Sequence, residues 1–269
     1  MGSVPDNLAD LPPNAPHLLI RGQRIAVDST LIMGVVNASP ESFSDGGRFS
    51  SLEQQLERCA ALVKAGADII DVGGQSAVTN QAELDARIEI ERVLPIVEWL
   101  AQNHPEVLVS VDTYKPPVVE AVLDAGAAIV NDVSGLAYPE IVDTCARHDA
   151  ALVVMHTRAR PKVRLQRSDL YEDVTADVVE FLSERADAAV GLGLPRESLI
   201  LDPGPDFTKT PYQTVDMLRG IERVRALGRP LLLALSRKDF LGAITGRSPA
   251  GRDAATHAAI AYFAAQPGS

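Results

Sequence analysis

Seven short apolar runs in this sequence each end in a polar residue. In chain order they are closed by Asn37, Asp71, Asp112, Asn131-Asp132, His156, Asp202 and Ser236-Arg237-Lys238. Helical patterns separate the runs about every 30 to 40 residues, and strands that alternate with helices form parallel sheets through right-handed crossovers. Because the carboxyl ends of parallel strands lie at one edge, the closing residues are predicted to converge there, as in a barrel enzyme.

The fold class predicted from this alternation is α/β, a TIM (β/α)8-type barrel in a single domain. The chain has 269 residues, 46% of them hydrophobic, and barrels of this type span about 200 to 250 residues. An open doubly wound sheet is the closest competitor, but it usually has a glycine-rich turn where this chain has Asn37-Ala38-Ser39-Pro40. Only four residues follow Ala265, so we expect the final barrel strand and helix to be lacking in this chain.

Residues 1–16, rich in Pro, Asn and Asp, are predicted to form a loose N-terminal arm, and residues 17–269 the barrel domain. A short hairpin over 17–27 could plug the barrel floor. Strands are predicted at 31–37, 67–73, 107–113, 128–133, 151–156, 199–202 and 230–236. Helices are predicted at 52–65, with Ser50 or Ser51 as the N-cap, and at 81–103, 116–125, 139–148, 168–191, 211–226 and 253–265.

Charge and cysteine usage exclude several classes of protein. The formal net charge is −11 and no basic stripe is present, which argues against a nucleic-acid or membrane-surface partner but leaves an anionic small substrate open. The two cysteines, Cys59 and Cys145, lie in predicted helices with neither metal-ligand nor disulfide spacing. No apolar run reaches the ~20 residues of a membrane span, and residues 1–16 lack signal-peptide features, so we expect a cytoplasmic protein.

The strand-end carboxylates are the first candidates for chemistry. Asp71, Asp112 and Asp202 each follow an apolar strand pattern, where a carboxylate is costly unless it has a partner. Any one of them could cap the next helix, but three or four together argue against capping alone. Asn131 adds an amide beside Asp132, and such groups suit a flat heterocycle with amino, ring N–H and carbonyl groups, a pterin or a purine. Asn131 could instead only order a turn.

Cations and a long loop complete the candidate set. Arg237 and Lys238 could neutralise the carboxylates or bind an anionic ligand, with Lys238 as the inward group. His156 is as consistent with a structural hydrogen-bonding role as with ligand binding. The loop 38–49 has the composition of a lid, and Asn37 at its root could lend an oxygen to Mg²⁺.

Two motifs carry a resemblance to a known family. The segment from Met33 to Gly47 (MGVVNASPESFSDGG) and the segment from Asp71 to Ser76 (DVGGQS) closely resemble the first- and second-strand signatures of the dihydropteroate synthases. The similarity runs from about Ile25 to Ala265. It implies a TIM barrel that joins 6-hydroxymethyl-dihydropterin pyrophosphate to p-aminobenzoate and releases pyrophosphate in folate biosynthesis.

The resemblance also implies roles for individual residues. The catalytic residues would be Asp112, Asp202 and Lys238. Substrate binding would fall to Asn131, Met155, Phe207, Lys209, Ser236 and Arg237, and Asn37 would help hold Mg²⁺ and pyrophosphate. Barrels of this family commonly pair through outer helices, so we expect a homodimer to which the apolar helix over 253–265 contributes.

The sequence departs from the family pattern at four places. Ala77 and Val78 replace a Thr-Arg pair in the second loop, Asp206 adds a carboxylate to the turn that keeps Phe207 and Lys209, and Ala234 stands where a glycine is common. The Arg-x-His pair of the final strand has no counterpart before Ser269. A pterin-binding paralogue with little or no synthase activity is therefore the alternative. A methyltransferase that uses methyl-folate and a corrinoid partner ranks last, because the first loop over 42–47 has the synthase form.

Overall fold

Six parallel strands form the central sheet of the protein. The computed structural model describes residues 17–27, 29–39, 51–75 and 82–266, so the arm 1–16 and the loop segments 40–50 and 76–81 lie outside the described residues. The strands are β3 (Met33–Asn37), β4 (Ile69–Gly73), β5 (Leu108–Asp112), β6 (Ile129–Asp132), β7 (Ala151–Met155) and β8 (Leu199–Asp202). They pair in chain order, each parallel to the next, which is the order that consecutive right-handed crossovers produce.

The strands read as continuous apolar runs because both faces of the sheet are covered. The outer face carries Val72, Val111 and Leu152, all fully buried against the helices. The inner face is divided along the strand direction. Ile129 and Val153 fill its amino-terminal half, whereas polar side chains occupy the carboxyl-terminal half, so the sheet itself places the polar groups at one rim.

An antiparallel hairpin covers the amino-terminal end of the sheet interior, as predicted. It consists of β1 (His17–Ile20) and β2 (Gln23–Ala26), joined through Arg21 and Gly22, both at positive φ. Leu18 and Ile20 are buried in one cluster with Ile69, Ile129, Val153 and Ile200 from the strand interiors. The hairpin thereby closes the floor of the barrel.

Nine α-helices are found among the described residues. They are α1 (Leu52–Lys64), α2 (Ala86–Asn103), α3 (Pro116–Asp124), α4 (Ile141–Arg147), α5 (Val174–Gly191), α6 (Pro211–Arg219), α7 (Ile221–Arg225), α8 (Asp239–Thr245) and α9 (Asp253–Ala264). Ser51 caps α1 in a capping box with Gln54, which confirms one of the two predicted caps. None of these helices has the length and apolar character needed to cross a bilayer.

Three helix boundaries differ from the sequence prediction. The helices expected from 81 and 168 begin later, at Ala86 and Val174, where Asp85 and Asp173 accept backbone N–H groups as N-caps. The helix expected over 211–226 is two helices divided at Gly220. A Cβ atom at Gly220 would lie 2.7 Å from Oγ1 of Thr175, so the close approach to α5 requires glycine there.

The predicted seventh strand, 230–236, was wrong as a strand. Its contact with β8 is one isolated bridge, in which Leu201 N donates to Pro230 O (3.0 Å) and Leu232 N donates to Leu201 O (2.9 Å). The next donor of a parallel ladder would be the backbone N–H of residue 203, and Pro203 has none. The segment still follows the edge of the sheet, and it leads directly into α8, a helix that the sequence analysis missed.

Candidate functional site at the carboxyl rim of the sheet

The sheet register brings most of the predicted site residues together at its carboxyl rim. Asp112 is the direct neighbour of Asn131 across β5 and β6, and Met155 is the neighbour of Asp202 across β7 and β8. Asn37 reaches the same rim through Gly73, which separates it from Asp112 in the register. Five residues predicted from separate parts of the sequence thus share one edge.

Asn131 is held from below by a buried carboxylate. Its Nδ2 donates to Oδ2 of Asp71 (3.2 Å), and the Ser110 hydroxyl donates to Oδ1 of the same carboxylate (2.6 Å). Burial raises the pKa of Asp71, and these two donors oppose the rise. The arrangement turns Oδ1 of Asn131 away from Asp71. That oxygen is buried and has no hydrogen-bond donor within the described part of the chain.

Asp112 also lacks a hydrogen-bond donor among the described residues. Burial, followed by the negative charges of Asp71 and Glu89, raises its pKa to about 8, and the ammonium of Lys162 opposes that rise. A carboxyl group with this pKa is mostly protonated at neutral pH. It is poised to gain from a ligand that supplies hydrogen-bond donors or positive charge.

Asp202 and Lys238 form the other side of the rim. Oδ1 of Asp202 accepts the backbone N–H of Gly204 (2.7 Å), and burial raises the pKa of Asp202 to about 6 against the opposing charges of Lys238 and Lys209. The ammonium of Lys238 lies 4.5 Å from the ring centroid of Phe207, a cation–π distance. Burial lowers the pKa of Lys238, and Asp202 counteracts the decrease.

Gly204 sets the course of the loop that follows Asp202. Its φ is +65°, and a Cβ atom there would lie 2.4 Å from the carbonyl oxygen of His156. Only glycine fits both conditions, so the loop can leave β8 across the end of β7. This course carries Phe207 back over the rim.

Lys209 is fully buried behind this loop and does not line the cavity. Its Nζ donates to Nδ1 of His156 (2.7 Å) and to the carbonyl oxygens of Gly204 (3.0 Å) and Phe207 (3.2 Å). Nε2 of His156 donates to Asp177 (2.8 Å), whose carboxylate also pairs with Arg158. Lys209 therefore stabilises the loop and does not face the cavity, so its predicted role in substrate binding was wrong. His156 has a structural hydrogen-bonding role.

The remaining predicted residues have different surroundings. Met155 is 1% exposed and packs beneath the rim, whereas Ser236 is exposed. The guanidinium of Arg237 pairs with the Asp253 carboxylate (2.7 and 3.1 Å), so its charge is directed towards α9. Asp132, which the sequence analysis grouped with Asn131, accepts two backbone N–H groups of its own turn.

A cavity of about 480 Å³ opens above the rim. Asp112, Phe207 and Lys238 line it, together with the segment 159–166 that follows β7. A cavity of this size suits a ligand with two or three rings.

Two groups near the cavity were missed in the sequence analysis. The first is a buried ion pair between Lys115 and Glu89 (2.7 Å), with Thr113 donating to the same carboxylate (2.7 Å). The second is the series of cations at alternate positions, Arg158, Arg160, Lys162 and Arg164. That spacing was visible in the sequence and could have pointed to a charged loop.

A comparison of the whole sequence with known protein families decides the assignment. The family described as "Pterin binding enzyme" matches residues 33–269. The chain belongs to this family.

The most similar members of the pterin-binding enzyme family include synthases of known structure. A dihydropteroate synthase of Streptococcus pyogenes is 38% identical over 244 residues, 90% of this chain and 88% of the relative. The Yersinia pestis dihydropteroate synthase in a sulfonamide drug complex has a TM-score of 0.84 at 32% identity, over 93% of this chain and 91% of that one. The Xanthomonas albilineans dihydropteroate synthase with 4-aminobenzoic acid has a TM-score of 0.84 at 37% identity, over 95% and 90%. The resemblance and the barrel fold class predicted from the sequence are confirmed.

Proposed function

We propose that this chain catalyses the dihydropteroate synthase reaction of folate biosynthesis. In this reaction 6-hydroxymethyl-7,8-dihydropterin pyrophosphate condenses with p-aminobenzoate to give 7,8-dihydropteroate and pyrophosphate. The observation that carries the proposal is the convergence of Asp112, Asn131 and Asp202 at one rim of the sheet, beside a cavity that Asp112 and Lys238 line. Membership of a family whose similar members are dihydropteroate synthases supports it.

The rim offers the hydrogen-bonding pattern that a dihydropterin needs. The ring system carries an amino group and ring N–H donors beside carbonyl and nitrogen acceptors. Oδ1 of Asn131 and the carboxylate of Asp112 are acceptors without donors in the described structure, and Asp202 retains one carboxylate oxygen besides the one that Gly204 occupies. The ammonium of Lys238 can donate to a ring acceptor. Each polar edge of the ring would therefore meet a complementary group.

The same residues account for the chemistry. The bond between the pterin methylene carbon and the pyrophosphate oxygen breaks, and positive charge develops on the methylene and the ring. Asp202, which is buried, and Asp112, which is half-buried, stabilise that charge more than they would in water. The amine nitrogen of p-aminobenzoate then forms the new bond to the methylene carbon, and its proton leaves to solvent.

Mg²⁺ is part of the proposal. Asn37 is the residue that would hold it, because a Cβ atom built at Gly73 would lie 3.6 Å from Oδ1 of Asn37 and 3.8 Å from Oδ2 of Asp112. Two hard oxygen donors thus lie on either side of a glycine, which suits a cation that keeps most of its water. When bound, the ion would neutralise charge on the leaving pyrophosphate.

A homodimer in the cytoplasm belongs to the same proposal. Ile244 on α8 and Tyr262 on α9 are each 64% exposed beside an apolar groove between α6, α8 and α9, whereas Phe263 packs into its own core. Exposed apolar side chains around a groove favour pairing of two copies. Light scattering of the purified protein would measure a mass of two chains if the proposal is right.

A pterin-binding protein with little or no synthase activity is the second candidate. The second-loop sequence favours it, because Ala77 and Val78 carry neither the hydroxyl nor the charge that the family pattern has there. This candidate shares the pterin site and differs in turnover. The two functions are therefore separated by measuring binding and catalysis on the same sample.

The decisive assay incubates the purified protein with the pterin pyrophosphate, p-aminobenzoate and Mg²⁺. Release of pyrophosphate and formation of dihydropteroate are expected, with Asp202→Asn as the inactive control. Pterin binding in calorimetry without any product would favour the second candidate. Absence of both binding and product would refute both.

A further inference from the structure

The loop after β7 forms a wall of the cavity and carries an unusual density of cations. Arg160, Lys162 and Arg164, here called the cationic rim, alternate with Pro161 and Val163 and all line the cavity above Asp112. Whether these cations can bind a ligand depends on where the fold places them, and not only on their spacing in the sequence.

The wall is tied to the neighbouring loop that carries Phe207. Backbone N–H of Arg158 donates to the Thr208 hydroxyl (3.1 Å), and Nε2 of Gln166 donates to the carbonyl oxygen of Asp206 (3.3 Å). These contacts lie on either side of the cationic rim and fix both of its ends. The cationic rim is therefore held in a fixed position at the cavity mouth.

Lys162 occupies a backbone conformation that lysine rarely adopts. Val163 N donates to the carbonyl oxygen of Arg160 (3.1 Å), which closes a four-residue turn with Pro161 at its second position and Lys162 at its third, at φ +66°. Glycine or asparagine is the usual residue at a positive φ in this kind of turn. A strained lysine at a cavity mouth suggests a functional reason for its side chain.

Of the four carboxylates that line the cavity, Asp112 interacts electrostatically with Lys162, and the other three have partners of their own. Glu89 pairs with Lys115 (2.7 Å), Asp239 pairs with Arg252 (3.1 Å), and Asp206 accepts from Thr214 (3.0 Å). In the part of the chain that the structure describes, neither Arg160 nor Arg164 forms an ion pair. Arg164 donates only to the neutral side chain of Gln166.

We propose that the cationic rim, Arg160, Lys162 and Arg164, binds the diphosphate group of the pterin substrate. This inference rests on the proposed function, because it assumes a pterin ring on Asp112 and Asn131. A group attached to that ring through a methylene extends from the floor towards the cavity mouth, where the rim lies. Two guanidinium groups and an ammonium match the charge and the bidentate geometry of a diphosphate.

The test measures the binding of inorganic diphosphate to the full chain by calorimetry. The Arg160→Gln/Arg164→Gln double variant is expected to bind diphosphate at least tenfold more weakly than the wild type. The double variant should also lose most of the salt dependence of binding. Arg167→Gln is the matched control, since Arg167 lies on the same loop but pairs with Asp169 at the surface (2.6 Å). Its affinity for diphosphate should equal that of the wild type.

The binding of 6-hydroxymethyl-pterin, which carries no diphosphate, separates this inference from the proposed function. The double variant should bind this compound as the wild type does. Equal diphosphate affinity in the wild type and the double variant would overturn the inference, as would a weakening confined to p-aminobenzoate. If the wild type fails to bind hydroxymethyl-pterin while diphosphate binding depends on Arg160 and Arg164, the proposed function fails and the anion site stands.

Discussion

Nζ of Lys209 lies 2.7 Å from Nδ1 of His156, and both side chains are fully excluded from solvent. An ammonium only donates hydrogen bonds, so Nδ1 of His156 must accept, and Nε2–H donates to Asp177. Burial and the neighbouring Lys209 charge lower the pKa of His156 to about 3, which keeps the ring neutral. The pair fixes the loop from Gly204 to Phe207 beside the carboxyl rim of the sheet.

The burial of Lys209 predicts a pH dependence of stability. Burial lowers the pKa of Lys209 from 10.5 to about 7, so between about pH 7 and pH 10.5 the unfolded chain binds more protons than the folded one at this position. The contribution of Lys209 to the free energy of unfolding must therefore rise with pH over that window, by up to ~1.4 kcal/mol per unit of pKa shift.

Urea unfolding of the wild type and of Lys209→Met at pH 7.5, 9 and 10 measures this effect. The free energy of unfolding of the wild type should rise steadily relative to that of Lys209→Met as the pH rises. Lys64→Met, a change in the exposed last turn of α1, should show no such trend. Parallel pH profiles for the wild type and Lys209→Met would show that the ammonium is not desolvated.

Asp112→Asn is predicted to weaken pterin binding and to stabilise the free protein above pH 4. A charge-assisted hydrogen bond contributes about 1.5–3 kcal/mol, which corresponds to roughly a 10- to 150-fold loss of pterin affinity. Because the pKa of Asp112 is raised from 3.8 to about 8, the folded state holds its proton more tightly than the unfolded state in that window. The contribution of Asp112 to the free energy of unfolding of the wild type therefore falls as the pH rises from about 4 to 8.

Calorimetry with the pterin and thermal unfolding at pH 5 and pH 8 would check both effects. The melting temperature of Asp112→Asn should exceed that of the wild type, and the gap should be larger at pH 8. Asp143→Asn, at an exposed carboxylate on α4, is the control for an amide substitution. Unchanged pterin affinity in Asp112→Asn would contradict the proposed role.

The buried ion pair between Lys115 and Glu89 is predicted to be costly to break. The side chains are 11% and 3% exposed, and removal of one partner leaves a charge without compensation in the core. Lys115→Met and Glu89→Gln should each lower the free energy of unfolding by about 3–5 kcal/mol. The double variant should lose much less than the sum of the two.

A double-mutant cycle in urea measures that coupling, and the exposed pair of Arg167 and Asp169 supplies the reference. Both side chains of the reference pair are more than 60% exposed, so its coupling should stay below about 1 kcal/mol. Additive losses for Lys115 and Glu89 would mean that the two residues stabilise the fold independently.

The sequence predicted the fold and the rim because both depend on local patterns. Strand periodicity and the strand-end residues Asp112, Asn131 and Asp202 are encoded within a few residues, and parallel pairing is enough to bring them together. The prediction of a seventh strand was wrong because of a residue outside that segment: Pro203, directly after β8, lacks the backbone N–H that a longer parallel ladder would need. No pattern within 230–236 could reveal this.

Residues that act through long-range contacts could not be assigned from the sequence. The positions of Lys209 and His156 differ by 53 in the chain, and nothing near either residue indicates that Lys209 points behind the loop and not into the cavity. The partner of Lys115 likewise depends on how α2 packs beside the end of β5. The resemblance to a family supplied candidate residues, whereas the direction of each side chain came from the packing.

The hairpin at the barrel floor gives the last prediction. Ile20 is 1% exposed and packs with Ile129 and Val153 inside the sheet, so the hairpin is part of the core. Ile20→Ala should lower the free energy of unfolding by about 2–5 kcal/mol through lost burial and the cavity left behind. Arg24→Ala, on the exposed side of β2, should change it by less than about 0.5 kcal/mol. Urea denaturation of both variants measures the difference. Equal stabilities would mean that the floor is closed by other residues, because a side chain packed between strand interiors cannot be shortened without cost.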